Sequence, residues 1–379
     1  MNDRDDIDAL INELHASTGG GLVEGAVPVE ALLATVVERH GSDLLLVAGS
    51  PPAVRIDGAV TRLPGDVLDG TDIEDAVLPL LPPHARQQFL QSGVADASLR
   101  LPQLGRFRVN LHRERGRAAA AIRVLPVRVP RLADLQLPPE IEALSRLPRG
   151  LVLVGGPTGS GKTTTLAALV EEVNQRDARH VITVEDPIEY EHTHARSVIE
   201  QVEIGIDAPD FPTALRSAVR QAPDVLVIGE MRDAESMRIA LAAAETGHLV
   251  FSSLHTTDVA ATVARVCDSF PNERQNTIRQ ELALALAAVV TQALIPRPDG
   301  GRVPAAEILV VSYGARQHIR RNTLQHLHQE ITMTRKQGSL TMEDSLARLV
   351  VDGAIARAEA MMRAGHPDEL EGALRAQGV

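Results

Sequence analysis

Cysteine and tryptophan are nearly absent from this sequence. The 379 residues contain one cysteine, Cys267, and no tryptophan. A single cysteine excludes an internal disulfide and a four-cysteine zinc site, and it is typical of a reducing compartment such as the cytoplasm. Aromatic residues make up only 2% of the chain, so few side chains are available to stack on the bases of single-stranded nucleic acid. The core must therefore be built from aliphatic side chains.

Long apolar runs and a basic start are also missing. The longest apolar stretch, residues 282–290, is much shorter than the roughly 18 residues needed to cross a membrane. Residues 1–8 are acidic, and no apolar segment follows them as it would in a secretory signal. The formal net charge is −12, whereas proteins that bind phosphate backbones usually carry a basic face. We expect a cytoplasmic protein that neither inserts into a membrane nor binds nucleic acid.

Glycine and proline divide the chain into segments. Consecutive glycines interrupt the helical spacing near the start, so we interpret residues 1–27 as a mobile N-terminal tail. Residues 28–130 predict a small α+β domain, and we assign the proline-rich residues 131–139 to a linker. In residues 140–379, short apolar runs alternate with helical segments and a helical region follows, with a core-facing helix predicted at 339–351. This alternation indicates an α/β domain with a largely parallel sheet.

A glycine-rich stretch follows the first strand of the larger domain. Residues 155–163 read GGPTGSGKT, which matches the phosphate-binding pattern G-x4-G-K-[ST] between a strand and a helix. Glycines let backbone N–H groups approach phosphate oxygens, and the helix N-terminus adds positive potential. Lys162 would reach the β- and γ-phosphates, and the Thr163 hydroxyl would ligate Mg²⁺. We predict an ATP or ADP site formed by Gly156, Pro157, Thr158, Gly159, Ser160, Gly161, Lys162, Thr163 and Thr164.

Acidic residues follow two further strands. One apolar strand ends at Glu230, where a P-loop protein places a carboxylate beside Mg²⁺, so we assign Glu230 to the metal shell through water. Another strand ends in a dense acidic turn that contains Glu185, Asp186 and Glu189. Hydrolysis of ATP needs a carboxylate to orient and deprotonate the attacking water. Spacing alone leaves all three acids of this turn open as the catalytic base.

Two histidines flank the strand LVFSSL. His248 precedes this strand and His255 follows it. A histidine at the tip of a parallel strand beside the phosphate loop can donate a hydrogen bond to a γ-phosphate oxygen. Such a contact exists with ATP and not with ADP, so it would distinguish the two nucleotides. The alternative interpretation is that both are ordinary core or capping histidines.

Four segments together carry a family resemblance. They are GPTGSGKTTT at 156–165, ITVEDPIEYEH at 182–192, DVLVIGEMRD at 224–233 and AETGHLVFSSLHTTD at 244–258. They resemble the four boxes of the type II/type IV secretion ATPases. Within that superfamily the chain is similar to the pilus retraction subfamily, the PilT-like proteins. The resemblance implies a RecA-like P-loop ATPase core with a smaller N-terminal α+β domain that is PAS-like.

The resemblance also implies a function and an assembly. It implies a homohexamer with ATP between subunits, which powers type IV pilus retraction and twitching motility at the inner face of the cytoplasmic membrane. The partners implied are an inner-membrane pilus platform protein and, in some systems, a paralogous pilus ATPase.

Individual site residues follow from the same resemblance. The catalytic glutamate falls on Glu189, the second acidic residue of the site on Glu230, and the two histidines of the family's box on His248 and His255. Arginines that neutralise phosphate charge from a neighbouring subunit are expected from the small domain. These candidates are Arg106, Arg108 and Arg123, and Arg265 of the larger domain is a weaker one.

Other readings of the sequence predict different features. An assembly or secretion ATPase of the same superfamily would carry a longer N-terminal region and a four-cysteine zinc insertion. A non-hydrolysing, nucleotide-gated scaffold for a partner motor is kept open by residues 314–321, where the family's AIRNLIRE motif, tied to retraction, reads GARQHIRR. A RecA-like nucleic-acid motor would be expected to carry more basic and aromatic residues.

Overall fold

A computed structural model describes residues 27–56 and 58–378. The chain divides into two compact units between Val127 and Arg128. The predicted mobile tail, apart from Val27, lies outside the described residues. Within the part of the chain that is described, no helix is long and apolar enough to cross a membrane.

The first unit is a six-stranded antiparallel sheet with three helices. In the order β3-β2-β1-β6-β5-β4, the strands are β1 (Asp43–Val47), β2 (Ala53–Ile56), β3 (Ala59–Arg62), β4 (Val94–Leu101), β5 (Gly105–Glu114) and β6 (Arg117–Val124). The helices are α1 (Val29–Glu38), α2 (Gly70–Val77) and α3 (Pro83–Ser92). These bounds agree with the α+β pattern predicted from the sequence, although β3, α3 and β4 had no distinct sequence signal.

Alternation along β5 explains how this sheet packs. Phe107, Val109 and Leu111 are fully buried and share a core with side chains of the three helices. Arg106 and Arg108, which occupy the intervening positions, are half-buried. Because neighbouring side chains of a strand point to opposite faces, one face of the sheet carries the helices and the other carries arginines.

The second unit is built on a seven-stranded, largely parallel sheet. In the order β13-β12-β7-β11-β10-β8-β9, the strands are β7 (Gly150–Gly155), β8 (His180–Glu185), β9 (Val198–Glu203), β10 (Val225–Ile228), β11 (Leu249–Leu254), β12 (Leu286–Pro296) and β13 (Arg302–Val310). Only β12 and β13 pair antiparallel. Every residue of β7, β10 and β11 is buried, which explains their unbroken apolar sequences.

Helices cover this sheet and extend beyond it. They are α4 (Lys162–Arg176), α5 (Phe211–Ala218), α6 (Ala234–Glu245), α7 (Val259–Asp268), α8 (Asn272–Ala285), α9 (Tyr313–Arg321), α10 (Leu327–Met333), α11 (Met342–Val351), α12 (Arg357–Arg363) and α13 (Pro367–Ala376). The helix predicted at 339–351 begins only at Met342. Thr341 caps it by accepting a hydrogen bond from the Asp344 N–H, while Leu340 pairs with Ile308 of β13.

The proline-rich residues 131–139 pack against the second unit. Short 3₁₀ turns occupy Leu132–Leu135 and Pro139–Arg146. Leu132 and Ile141 lie in the same core as Val152 and Val154 of β7, and Leu135 packs against that core. This segment is therefore attached to the larger unit. The predicted linker and domain bounds stay a prediction.

Candidate nucleotide-binding site

The glycine-rich loop leaves β7 at Gly155 and ends where α4 begins at Lys162. Gly156 has a φ of +149°, and a Cβ added there would lie 2.3 Å from Ser160 Oγ and 2.5 Å from the Gln292 carbonyl oxygen. Any larger residue would force the loop open. The close contact that Gly156 permits keeps the loop folded over the start of α4.

Lys162 is held in the centre of this loop. Its Nζ donates hydrogen bonds to the carbonyl oxygens of Gly156 and Pro157, each at 2.9 Å. The same Nζ lies 3.4 Å from Nδ1 of His255, which follows β11. Burial lowers the pKa of Lys162, and the charges of Glu230 and Glu189 oppose that effect. Both glutamates predicted from the sequence therefore act on the lysine of the loop.

His255 bridges Lys162 and Glu230. Its Nε2 lies 3.3 Å from Oε1 of Glu230, and its Nδ1 faces the ammonium group of Lys162. Because an ammonium group can only donate, Nδ1 is the nitrogen placed to accept from Lys162, and a proton on Nε2 would be donated to Glu230. His255 thus links the phosphate loop to the carboxylate at the tip of β10.

Glu230 is the anionic end of this set of contacts. Burial raises the pKa of its carboxyl, but the hydrogen bond from Arg232 at 3.0 Å, the charge of Arg232 and the contact with His255 outweigh burial and bring the pKa below its ordinary value. The carboxylate is consequently ionised at neutral pH. An ionised carboxylate is the kind of oxygen ligand that Mg²⁺ takes.

The three acids of the turn after β8 have different surroundings. Glu185 accepts hydrogen bonds from Thr183 Oγ1 at 2.7 Å and Gln201 Nε2 at 3.3 Å, and burial raises its pKa. Asp186 is exposed, with its carboxylate 3.7 Å from an Arg232 nitrogen. Glu189 is half-buried, and its charge acts on Lys162. Glu189 is therefore the acid of this turn that is coupled to the loop lysine.

The edge strand β9 holds the acidic turn in place. The Ile188 N–H donates to the Glu203 carboxylate at 3.1 Å, and Gln201 Nε2 donates to the Tyr190 carbonyl at 2.9 Å. The Tyr190 hydroxyl lies 3.0 Å from the Thr164 hydroxyl in the first turn of α4. These contacts tie the turn to β9 on one side and to the phosphate loop on the other. Sequence reasoning missed them because β9 itself had not been predicted.

Gln292 of β12 is a further residue that the sequence did not single out. Its side chain is 3% exposed. Its Nε2 donates to the Ser160 carbonyl at 2.7 Å, and its Oε1 accepts from Thr165 Oγ1 at 2.9 Å. One buried amide thus joins the loop to the helix that follows it. The available sequence signal was a pair of polar residues, Thr291 and Gln292, inside an otherwise apolar strand.

His248 does not join this group of residues within the chain. It precedes β11, whose residue Leu249 pairs with Gly150, whereas Leu254 pairs with Gly155 beside the phosphate loop. At about 3.3 Å per residue, roughly 20 Å of strand separates the two histidines. Nδ1 of His248 instead lies 2.9 Å from the carbonyl oxygen of Ala243. His255 therefore lies beside the phosphate loop and His248 does not, and a catalytic role for each histidine stays a prediction.

The predicted arginines lie outside the phosphate loop. Arg106, Arg108 and Arg123 belong to the first unit, where Arg108 and Arg123 are direct partners on adjacent strands. Arg123 donates to Asp43 at 2.8 Å. Arg265 is exposed on α7. Their predicted action on a neighbouring subunit's nucleotide stays a prediction.

The loop residues fit a magnesium-bound nucleotide. The Ser160 hydroxyl is buried and has no hydrogen-bond partner among the described residues. A buried polar atom of this kind calls for a ligand, and a phosphate oxygen would supply one. Thr163, in the first turn of α4, and the ionised Glu230 have the oxygen atoms that would hold Mg²⁺. A strand, a glycine loop, a buried lysine and an acidic strand tip in this arrangement define a P-loop nucleotide-binding protein.

The chain belongs to the type II/IV secretion system protein family. Residues 95–362 match the family described as "Type II/IV secretion system protein". The chain is 39% identical over 340 residues to "Type IV pilus retractation ATPase PilT" of Pseudomonas aeruginosa, which covers 90% of this chain and 99% of that protein. It is 38% identical over 346 residues to "Twitching motility protein" of Neisseria gonorrhoeae, covering 91% of this chain and 92% of that protein.

A solved structure agrees with the fold. The structure described as "Crystal Structure of the Pilus Retraction Motor PilT and Bound ADP" aligns with a TM-score of 0.82 at 39% identity, over 91% of this chain and 99% of that chain. The resemblance inferred from the four sequence boxes and the predicted RecA-like core are therefore confirmed.

Proposed function

We propose that this protein is an ATPase that powers the retraction of type IV pili. The observation that carries the proposal is the chain of contacts from the phosphate-loop carbonyls through Lys162 and His255 to the ionised Glu230. These contacts place a cation, a hydrogen-bond donor and a carboxylate at one edge of the sheet. Phosphoryl transfer needs all three groups. Relatives that share more than nine-tenths of their own length with this chain are named for pilus retraction and twitching motility.

Binding of ATP would rearrange Lys162. Its Nζ now satisfies two carbonyl oxygens, and it would exchange one or both for oxygens of the β- and γ-phosphates. The loop N–H groups and the buried Ser160 hydroxyl would take further phosphate oxygens. Thr163 and Glu230 would hold Mg²⁺, which, when bound, neutralises part of the triphosphate charge. The adjacent Thr164 hydroxyl would transmit loop movement to Tyr190 of the acidic turn.

Glu189 is proposed as the general base. Its carboxylate accepts a proton from water while the water oxygen bonds to the γ-phosphorus, and the bond from that phosphorus to the leaving ADP oxygen breaks. The products are ADP and inorganic phosphate. Loss of the γ-phosphate removes the partner of Lys162 and of His255, so their contacts differ between the ATP and ADP states.

The mechanical coupling is proposed from family membership. A homohexamer would place the arginine face of the first unit (Arg106, Arg108 and Arg123) against the nucleotide of a neighbouring subunit, where these cations would stabilise developing charge. Rotation of the units after hydrolysis would act on an inner-membrane platform protein, with a paralogous pilus ATPase as a further partner. The protein would then work at the inner face of the cytoplasmic membrane.

Two measurements test this function. Purified protein should release phosphate from ATP in the presence of Mg²⁺, and Lys162→Ala should abolish that activity. A matched control is Arg146→Ala, which removes an exposed cation whose partner is Glu142 rather than a site residue. If the wild-type protein releases no phosphate at steady state, that result would instead support a non-hydrolysing, nucleotide-gated scaffold.

Deletion of the gene then tests retraction. We expect cells that carry excess surface pili and do not twitch, with both defects reversed by the wild-type gene and not by Lys162→Ala. Cells without pili would indicate an assembly ATPase. Unchanged pili and unchanged motility would contradict a role in pilus dynamics.

A further inference from the structure

Two histidines and a glutamate converge in the C-terminal helices, away from the phosphate loop. His328 lies in the first turn of α10, His366 immediately precedes α13, and Glu369 lies in the first turn of α13. One ring nitrogen of each histidine and one carboxylate oxygen of the glutamate all lie within 4.8 Å of one another. The cluster thus joins two helices that are far apart in sequence.

The cluster is held together by contacts that fix its members. The imidazole rings of His328 and His366 stack with centroids 4.1 Å apart. His328 Nε2 lies 3.1 and 3.0 Å from the two carboxylate oxygens of Glu369. The backbone N–H of His366 donates at 2.9 Å to Glu343, a carboxylate on α11 that is only 2% exposed. This last bond anchors the segment that presents His366 and Glu369.

The chemistry of these three side chains selects the kind of ion. Imidazole nitrogen is a preferred ligand of Zn²⁺ and related transition metals, whereas Mg²⁺ and Ca²⁺ take oxygen ligands almost entirely. Bonds of roughly 2.0–2.1 Å to a tetrahedral ion place ligand atoms about 3.3 Å apart. The His328–Glu369 separation is already close to that distance. The His366 nitrogen lies within 4.8 Å of the other two ligand atoms, so rotation of its side chain can bring it to the distance that a shared ion requires.

We propose that His328, His366 and Glu369 form a binding site for a divalent transition metal of the Zn²⁺ type, which fastens α13 to α10. Side chains of His328 and Glu369 are 23% and 45% exposed, so water completes the coordination and the ion enters from solvent. Three protein ligands with an open fourth position bind more weakly than a closed structural site. The occupancy of the site therefore depends on the available concentration of the metal ion.

The opposing explanation is an ion pair without metal. A protonated His328 would then simply bind Glu369, and the stacked His366 would play no part. The two explanations differ in stoichiometry and in the importance of His366, because an ion pair needs neither a bound ion nor a second imidazole.

Titration with Zn²⁺ separates the two explanations. Untagged full-length protein, stripped with a chelator and dialysed, is titrated with ZnCl₂ by calorimetry in the absence of nucleotide, because triphosphates bind the metal. We expect one ion per chain at this site. Glu369→Gln and His366→Ala should each weaken binding by at least about 100-fold, because each removes a direct ligand and loss of an outer-shell partner alone costs about 10–100-fold. Glu371→Gln, which alters an exposed carboxylate on the same helix, should leave the affinity unchanged.

A second readout uses only the wild-type protein, so it does not depend on whether a variant folds. Crystals of wild-type protein soaked in ZnCl₂ should give an anomalous peak between the three side chains. A peak elsewhere, no saturable one-to-one binding, or equal affinity in wild type, Glu369→Gln and His366→Ala would each overturn the proposal. Far-UV circular dichroism of the variants guards against the misreading that lost binding reflects lost structure.

Discussion

Gln292 offers the sharpest test of how the phosphate loop is held. The substitution Gln292→Met keeps the volume of the side chain and removes both of its polar atoms, so no cavity forms. The Ser160 carbonyl loses the donor that lies 2.7 Å away, and Thr165 Oγ1 loses its acceptor at 2.9 Å. The Ser160 carbonyl and the Thr165 hydroxyl are both buried, so water does not replace the lost hydrogen bonds.

The size of the effect follows from these two contacts. An unsatisfied buried group costs about 1–3 kcal/mol. The Thr165 hydroxyl can turn to the carbonyl of Gly161, one helical turn earlier, and recover part of its loss. We therefore expect a total destabilisation of about 2–4 kcal/mol in the second unit. Because the loop must be preorganised to bind phosphates, nucleotide affinity should fall by at least about 10-fold, a change of about 1.4 kcal/mol.

Two assays measure these effects. Scanning calorimetry reports the melting temperature of the second unit, and a fluorescent ADP analogue reports the dissociation constant. Gln329→Met, at an exposed position of α10, is the matched control. A double-mutant cycle with Thr165→Val isolates the amide–hydroxyl contact, and we expect a coupling energy near 1 kcal/mol. If Gln292→Met keeps both the melting temperature and the ADP affinity of the wild type, Gln292 does not hold the phosphate loop in place.

Two further predictions concern buried ionisable groups of the second unit. Burial raises the pKa of the Cys267 thiol to about 11. Iodoacetamide at pH 8 should therefore modify native protein at least about 100-fold more slowly than urea-unfolded protein. Equal rates would show that α7 does not bury the thiol. Glu307 accepts hydrogen bonds from the Val259 N–H and the Thr291 hydroxyl, and burial raises its pKa. Because the folded state then holds this proton more tightly than the unfolded state, stability falls as pH rises from the unfolded pKa through the folded pKa. Glu307→Gln should therefore gain melting temperature relative to wild type between pH 5 and pH 8, and a constant difference would contradict a charge-burial penalty.

The sequence predicted the parts of the site that depend on local pattern. A strand, a glycine loop and a helix are adjacent in the chain, so residues 155–163 were sufficient to predict where Lys162 would lie. The carboxyl ends of parallel strands meet at one edge of a sheet, so Glu230 and His255 could also be placed. These predictions required no knowledge of which strands are neighbours.

Contacts between distant segments could not be predicted in this way. Three of the six residues of β9, Glu200, Gln201 and Glu203, are polar, and the strand lies at the sheet edge, so it has no long apolar run to mark it. Its Gln201 and Glu203 nevertheless hold the acidic turn. The apolar residues 282–290 gave one unbroken signal, but α8 ends at Ala285 and β12 begins at Leu286. No glycine or proline separates the two elements, and a short apolar run does not distinguish a helix from a strand.

The orientation of a strand also decided the outcome for the histidines. His248 and His255 flank the same strand, and a seven-residue separation on an extended strand places them at opposite edges of the sheet. The parallel pairing of β11 with β7 places His255, at the carboxyl end of β11, beside the phosphate loop and His248 at the opposite edge.

We propose that Glu189 activates water for the hydrolysis of ATP bound at the Lys162 loop. The ATP turnover of Glu189→Gln, compared with that of Asp186→Asn at a neighbouring exposed acid, measures this role. Glu189→Gln should lower kcat by about 10²–10⁴-fold while ATP still binds, because only proton transfer to the base is lost. Asp186→Asn should stay within a few-fold of wild type. Turnover at the wild-type rate in Glu189→Gln, with ATP bound, would show that Glu189 is not the base.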